Sequence, residues 1–246
     1  MTQHNPIHGG RYLLRGLRII FQPGLKRFVY IPMAINLFIY ILFIALANHY
    51  IHKFVAWIDH FLPSWLQWLN WLLWPFFILM GLVILLYSFG IIASLVTAPF
   101  NSFLAEKVEY VATGNKPNST PWSAIFKETW RVIEREIRKL LYYLPRVIIL
   151  FVISFIPVIN LISSLLWLWL AAWMMAVQYL DYPFDNHHVS FADMMKRLRA
   201  NYFSNLGFGV AVLFALIIPI FNIVIIPAAV AGATLKWLDE EKQQHA

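Results

Sequence analysis

Cysteine is absent from the 246 residues, which excludes disulfides and thiolate metal sites without naming a compartment. Charge is scarce as well. Charged side chains make up 13% of the chain, against about 25% in soluble domains. A water-facing surface cannot be covered with so few, and 61% of the residues are hydrophobic, with a mean hydropathy of +0.66. The chain therefore reads as an integral membrane protein. No Walker loop, GxSxG, HExxH or CxxC motif occurs, so the sequence is not read as an enzyme, and it calls for no cofactor or metal. The net charge of +7 gathers at the ends of apolar runs rather than on a basic face, which argues against nucleic acid as a partner.

What is present is organised by apolar runs. Residues 29–47 and 71–98 are each long enough for a bilayer core, which takes about 20 apolar residues. A cleaved signal peptide is not expected, because the basic segment 1–28 already fills the length such a peptide would have. Between the two runs, Trp57, Trp65, Trp68, Trp71 and Trp74 suggest an interfacial belt.

Residues 144–180 and 206–237 differ from these spans. Each is an apolar run interrupted by Ile-Pro-x-x-Asn, FIPVIN with Pro157 and Asn160 and IIPIFN with Pro219 and Asn222: an internal repeat that favours a tight turn between helices. The outbound arms are short. Arg146 to Ile156 and Leu206 to Ile218 give about 16 and 20 Å of helix, less than a core of about 30 Å. Two re-entrant helical hairpins fit those lengths; an ordinary pair of Pro-kinked spans is the alternative. Such hairpins place polar backbone at mid-depth, which calls for oligomer contacts or an aqueous cavity.

Residues 121–143 form the remaining element, an interfacial amphipathic helix. Thr120 is placed to cap it, Pro121 to start it, and Ile125, Phe126, Thr129, Val132, Ile133, Ile137 and Leu140 recur at helical spacing. Glu134 stands four residues before Arg138, the favourable order for an ion pair. Lys and Arg number five in residues 1–28, one in 48–70 and eight in 101–146. The positive-inside rule then puts the N-terminus and the amphipathic helix in the cytoplasm.

Two polar stretches are candidates for chemistry. In QYLDYPFDNHHVSFADMM, the residues Asp181, Asp185, His187 and His188 allow a metal site, a proton relay or a plain structural role. On the structural reading Pro183 ends a helix, Asp185-Asn186 turns, and Ser190 with Asp193 makes a capping box. In QPGLKR, Pro23 and Gly24 break a basic amphipathic stretch (Arg11, Arg15, Arg18) and start the next helix. Unpaired N–H groups and the positive end of the dipole at such a start suit an oxyanion, with Lys26 and Arg27 beside it. The alternative is that Lys26 and Arg27 only orient the membrane segment.

QPGLKRF, TAPFNSFLAE (97–106), YLPR (143–146), FIPVIN, QYLDYPFDNH (178–187) and PAAVAGAT (227–234) occur in this order. Together they resemble the CysZ family of bacterial sulfate permeases over nearly the whole chain. The resemblance implies sulfate uptake across the bacterial inner membrane for cysteine biosynthesis by a multi-pass homo-oligomer with two long transmembrane helices and two re-entrant hairpins. It also implies a sulfate site at Gly24, Leu25, Lys26 and Arg27, with Lys26 standing where members of the family often carry a second arginine. Asn36, Asn160 and Asn222 are candidate pathway donors. The competing expectations are a membrane scaffold whose basic residues bind only lipid and a membrane enzyme using Asp185, His187 and His188, the latter without a recognisable nucleophile or metal set.

Overall fold

The computed structural model describes residues 5–26, 30–31, 34–35, 37–39, 41–46, 49, 53, 70–114, 122–217 and 222–244, and every regular element among them is helical. Seven helices carry the fold: α1 Pro6–Ile19, α2 Asn70–Thr113, α3 Trp122–Ile153, α4 Pro157–Asn186, α5 Phe191–Ala200, α6 Tyr202–Ala215 and α7 Asn222–Gln244. Trp57, Trp65 and Trp68 of the expected belt, the Thr120-Pro121 start, Arg27, Asn36 and Pro219 lie outside the described residues. Two compact units result, one of Met1–Ile31 with Ala98–Ala246 and one of Pro32–Thr97. In the second unit the described residues are all helical. By length and composition one stretch among the described residues can cross a membrane: Ile162–Asn186 in α4, 25 residues of mean hydropathy 1.3.

Within the first unit, α1 starts at an Asn5 cap, whose side chain accepts from Ile7 N at 2.9 Å, and carries Pro6 where a missing N–H costs nothing. It packs on α6 and α7 at backbone distance. A Cβ on Gly16 would stand 2.0 Å from Ala228 O and 2.6 Å from Gly232 N, so only glycine lets these helices touch. Arg15 and Tyr12 both bond Asp239 of α7, at 2.5 and 3.1 Å. Burial, reinforced by that carboxylate, pushes the Tyr12 phenol up to about 12.

The FIPVIN segment turns over residues 154–156, and α4 begins at Pro157 with Ile156 extended before it. Asn160 falls inside the first turn of α4, where its N–H donates to Ile156 O at 2.9 Å. Upstream, α3 runs unbroken through Pro145 to Ile153.

Pro183 does not end a helix, contrary to the sequence reading: α4 continues to Asn186 and the turn falls at His187-His188, the latter with φ +56°. The physical reason is tertiary. Asp181 and Asp185, on either side of the proline, are both tied to arginines of α3, and these bonds hold the last turn helical. Ser190 then caps α5, accepting from Asp193 N at 3.1 Å. Ser190→Ala is expected to cost about 1 kcal/mol, read as a lower unfolding midpoint of the detergent-purified protein.

Candidate functional site

After α1 the chain turns twice, with Gln22 N–H donating to Ile19 O at 3.0 Å and Leu25 N–H to Gln22 O at 3.2 Å. Gly24 takes a φ of +91°, a conformation that suits glycine, while the space around its Cα is open. Leu25 is fully buried and pins the turn to the core; Lys26 projects outward. The carbonyl of Lys26 accepts from Tyr30 N at 3.1 Å, an i to i+4 bond of helical type. The structure describes three of the four expected site residues, Gly24, Leu25 and Lys26.

The second candidate stretch is built differently from either chemical reading. Asp181 is buried, with Arg135 Nε at 2.7 Å from one oxygen and Lys139 Nζ at 3.3 Å from the other. Asp185 accepts from Arg131 at 3.1 Å. Lys139 also reaches Glu136 at 2.7 Å, and Glu136 accepts from Tyr182 OH at 3.1 Å and from Gln178 Nε2 at 3.2 Å. Three cations thus face three carboxylates between α3 and α4. Burial opposes the charge on Lys139, but Glu136 and Asp181 more than offset it and hold its ammonium above the ordinary lysine value.

The ends of the network fasten to α2. Asn101 Nδ2 donates to Tyr182 OH at 3.2 Å, Asn186 Nδ2 to Ser102 O at 2.9 Å, and His187 Nε2 meets Glu109 at 2.8 Å. His187 also stacks on Trp237, its ring 3.9 Å away. Among the described residues no group of acids and histidines is arranged to hold a metal. The four polar residues singled out in the sequence are partners of arginine, lysine and glutamate.

Sequence reasoning missed Arg135, Glu136 and Lys139. They were available as a signal: a helix whose apolar positions can face lipid has no need to bury them and leaves its charged face to meet a partner. In α3, Ile137 and Leu140 are exposed while Arg135, Glu136 and Lys139 are buried. The Glu134–Arg138 pair forms at 2.6 Å on the surface. Of the pathway asparagines, Asn160 accepts from Ser163 Oγ at 3.0 Å, a local turn contact. Asn222 opens α7, and its side chain lies outside the described residues.

Residues 12–227 match the family described as Sulfate transporter CysZ/Etoposide-induced protein 2.4. The chain belongs to that family. The CysZ match opens inside α1 and closes at Pro227 in α7, so it takes in Gly24 to Arg27 and the charged network but not Asp239. A Pseudomonas aeruginosa protein named sulfate transporter CysZ is 44% identical over 243 residues, 97% of both chains. A CysZ of the same name from Pseudomonas fluorescens is 46% identical over 240 residues, 95% of this chain and 94% of its own. One from Pseudomonas syringae pv. tomato is 43% identical over 236 residues, 94% and 92%.

Proposed function

We propose that this chain is a membrane protein that takes up sulfate across the bacterial inner membrane to supply cysteine synthesis, and that Gly24, Leu25, Lys26 and Arg27 hold the anion. The observation that carries the uptake reading is identity of 43–46% along nearly the whole length to proteins named sulfate transporters. The site reading rests on the turn. Positive φ at Gly24 and the bond from Tyr30 N to the Lys26 carbonyl support a reading in which a helix starts beside Lys26 and Arg27. Sulfate is a strongly hydrated dianion, so entry requires donors that replace its water. Backbone N–H groups at a helix start do so with the dipole behind them, and Arg27 adds a two-pronged donor. In this reading 29–47 and 71–98 span the membrane, 144–180 and 206–237 enter it as re-entrant hairpins, and copies of the chain assemble into a homo-oligomer that covers the hairpin turns.

Labelled-sulfate binding to the detergent-purified protein tests the site. Arg27→Ala is expected to weaken binding roughly 10- to 100-fold, the worth of a hydrogen bond to a charged group, and Lys26→Ala/Arg27→Ala to abolish saturation. Gly24→Ala meets no clash and strains only the backbone, so a loss there reports the turn itself. Unchanged binding in the double variant returns Lys26 and Arg27 to an orienting role. Liposomes that pass no sulfate return the protein to a scaffold.

A further inference from the structure

One side of α1 is closed by the fold and the other is open. Gly9, Tyr12, Leu13 and Gly16 are buried against α6 and α7, while Ile7, Leu14 and, just past the helix, Phe21 are exposed. Ile7 and Leu14 stand seven residues apart, two helical turns, and so share one stripe, which Phe21 continues at the same spacing. Arg11 and Arg18 are exposed too, each four residues after a member of that stripe. At about 100° per residue this sets them about 40° to one side of it. An apolar and a basic stripe therefore run side by side along the outer face.

The charge on that face is not cancelled by what packs behind it. α1 has three arginines and no acid, α6 has no charged side chain, and α7 has two lysines against three acids. Those acids are engaged elsewhere: Asp239 by Arg15 and Glu241 by Arg197, both at 2.5 Å, and Glu240 by Lys236. Among the described residues no carboxylate pairs with Arg11 or Arg18. The packed trio keeps two positive charges in surplus, and the two unpaired arginines of α1 lie on its outer face.

We propose that the outer face of α1 lies against anionic phospholipid, with Ile7, Leu14 and Phe21 at the acyl boundary and Arg11 and Arg18 on the phosphates. Charge selects the occupant. A second copy docked face to face would set these arginines against their own counterparts, and a zwitterionic surface offers them no net charge. A free anion would leave the apolar stripe bare. The proposal rests on the membrane placement of the protein and not on sulfate as its cargo.

The chain has no cysteine, so Leu14→Cys gives the full-length protein a single site for a fluorescent label. The labelled protein is reconstituted in equal mixtures of phosphatidylglycerol and phosphatidylcholine, with the acyl chains of one lipid or the other brominated. Quenching then reports which lipid touches the label. Brominated phosphatidylglycerol is expected to quench more, for a local preference of roughly fivefold per arginine. In Arg11→Gln/Arg18→Gln the preference should disappear while quenching persists, and Arg11→Lys/Arg18→Lys should keep it. Absence of quenching by either lipid overturns the proposal, whether protein or water covers the face. Equal quenching by the two lipids overturns it as well, and so does a preference that survives Arg11→Gln/Arg18→Gln. The label is read without sulfate, so the result stands whether or not the protein moves that anion.

Discussion

Asp181→Asn is expected to destabilise the protein by about 3–5 kcal/mol, the usual cost of removing one partner from a buried ion pair. The size follows from what the carboxylate holds. One oxygen takes Arg135 Nε at 2.7 Å, the other Lys139 Nζ at 3.3 Å, and all three side chains are at most 9% exposed. Asparagine keeps an acceptor but no charge, so two buried cations then share Glu136 and the more distant Asp185, 3.9 Å from Arg135. Thermal unfolding in detergent measures the loss, and a double-mutant cycle with Lys139→Met isolates the cause. If the charge imbalance is responsible, the double variant costs less than the two single losses added together. The Glu134–Arg138 pair serves as the control, since its exposure limits it to about 0.5 kcal/mol or less. An Asp181→Asn variant no weaker than Glu134→Gln would mean that the network is not ion-paired as described.

Gly16→Ala is the second large effect, and it acts through shape alone. The added methyl meets the Ala228 carbonyl at 2.0 Å and the Gly232 amide at 2.6 Å, both backbone atoms that no rotamer change can move aside. The α1–α7 seam must open, at roughly 1–3 kcal/mol or more for overpacking. Gly10→Ala lies on the same helix, and its methyl would find Ala211 Cβ at an ordinary 3.5 Å. That variant is expected to be neutral or to gain up to about 1 kcal/mol, as alanine does over glycine inside a helix. Opposite signs from one chemical change within seven residues are the signature of backbone contact, and unfolding midpoints of the two variants decide it.

The helical character of the fold was legible because apolar length and proline placement are local signals. So were the break at Pro23-Gly24, the Glu134–Arg138 pair and the Ser190 cap of α5, each of which depends on residues a few positions apart. The end of α4 was not. Pro183 carries a local signal to stop, and what overrides it is a pair of carboxylates bound to arginines about 50 positions earlier. The buried face of α3 was misjudged for a related reason. Periodicity shows that a helix has two faces but not which one meets protein, and where lipid is the outer solvent the apolar face can turn outward. The turn at Gly24 was readable from composition. The bond from Tyr30 N to the Lys26 carbonyl was not, because it joins backbone groups whatever their side chains.

Tyr12 and Asp239 meet across 227 positions of sequence. At about 5–20 residues per second of synthesis, α1 therefore waits roughly 10–45 s between leaving the ribosome and the appearance of its partner. Until α6 is made, its glycine-lined face has neither of the helices it packs on to close against, so the first helix made is among the last to dock. Loss of the α7 tail after synthesis would remove Asp239 from Tyr12 and Arg15 and so loosen the beginning of the chain as well as its end.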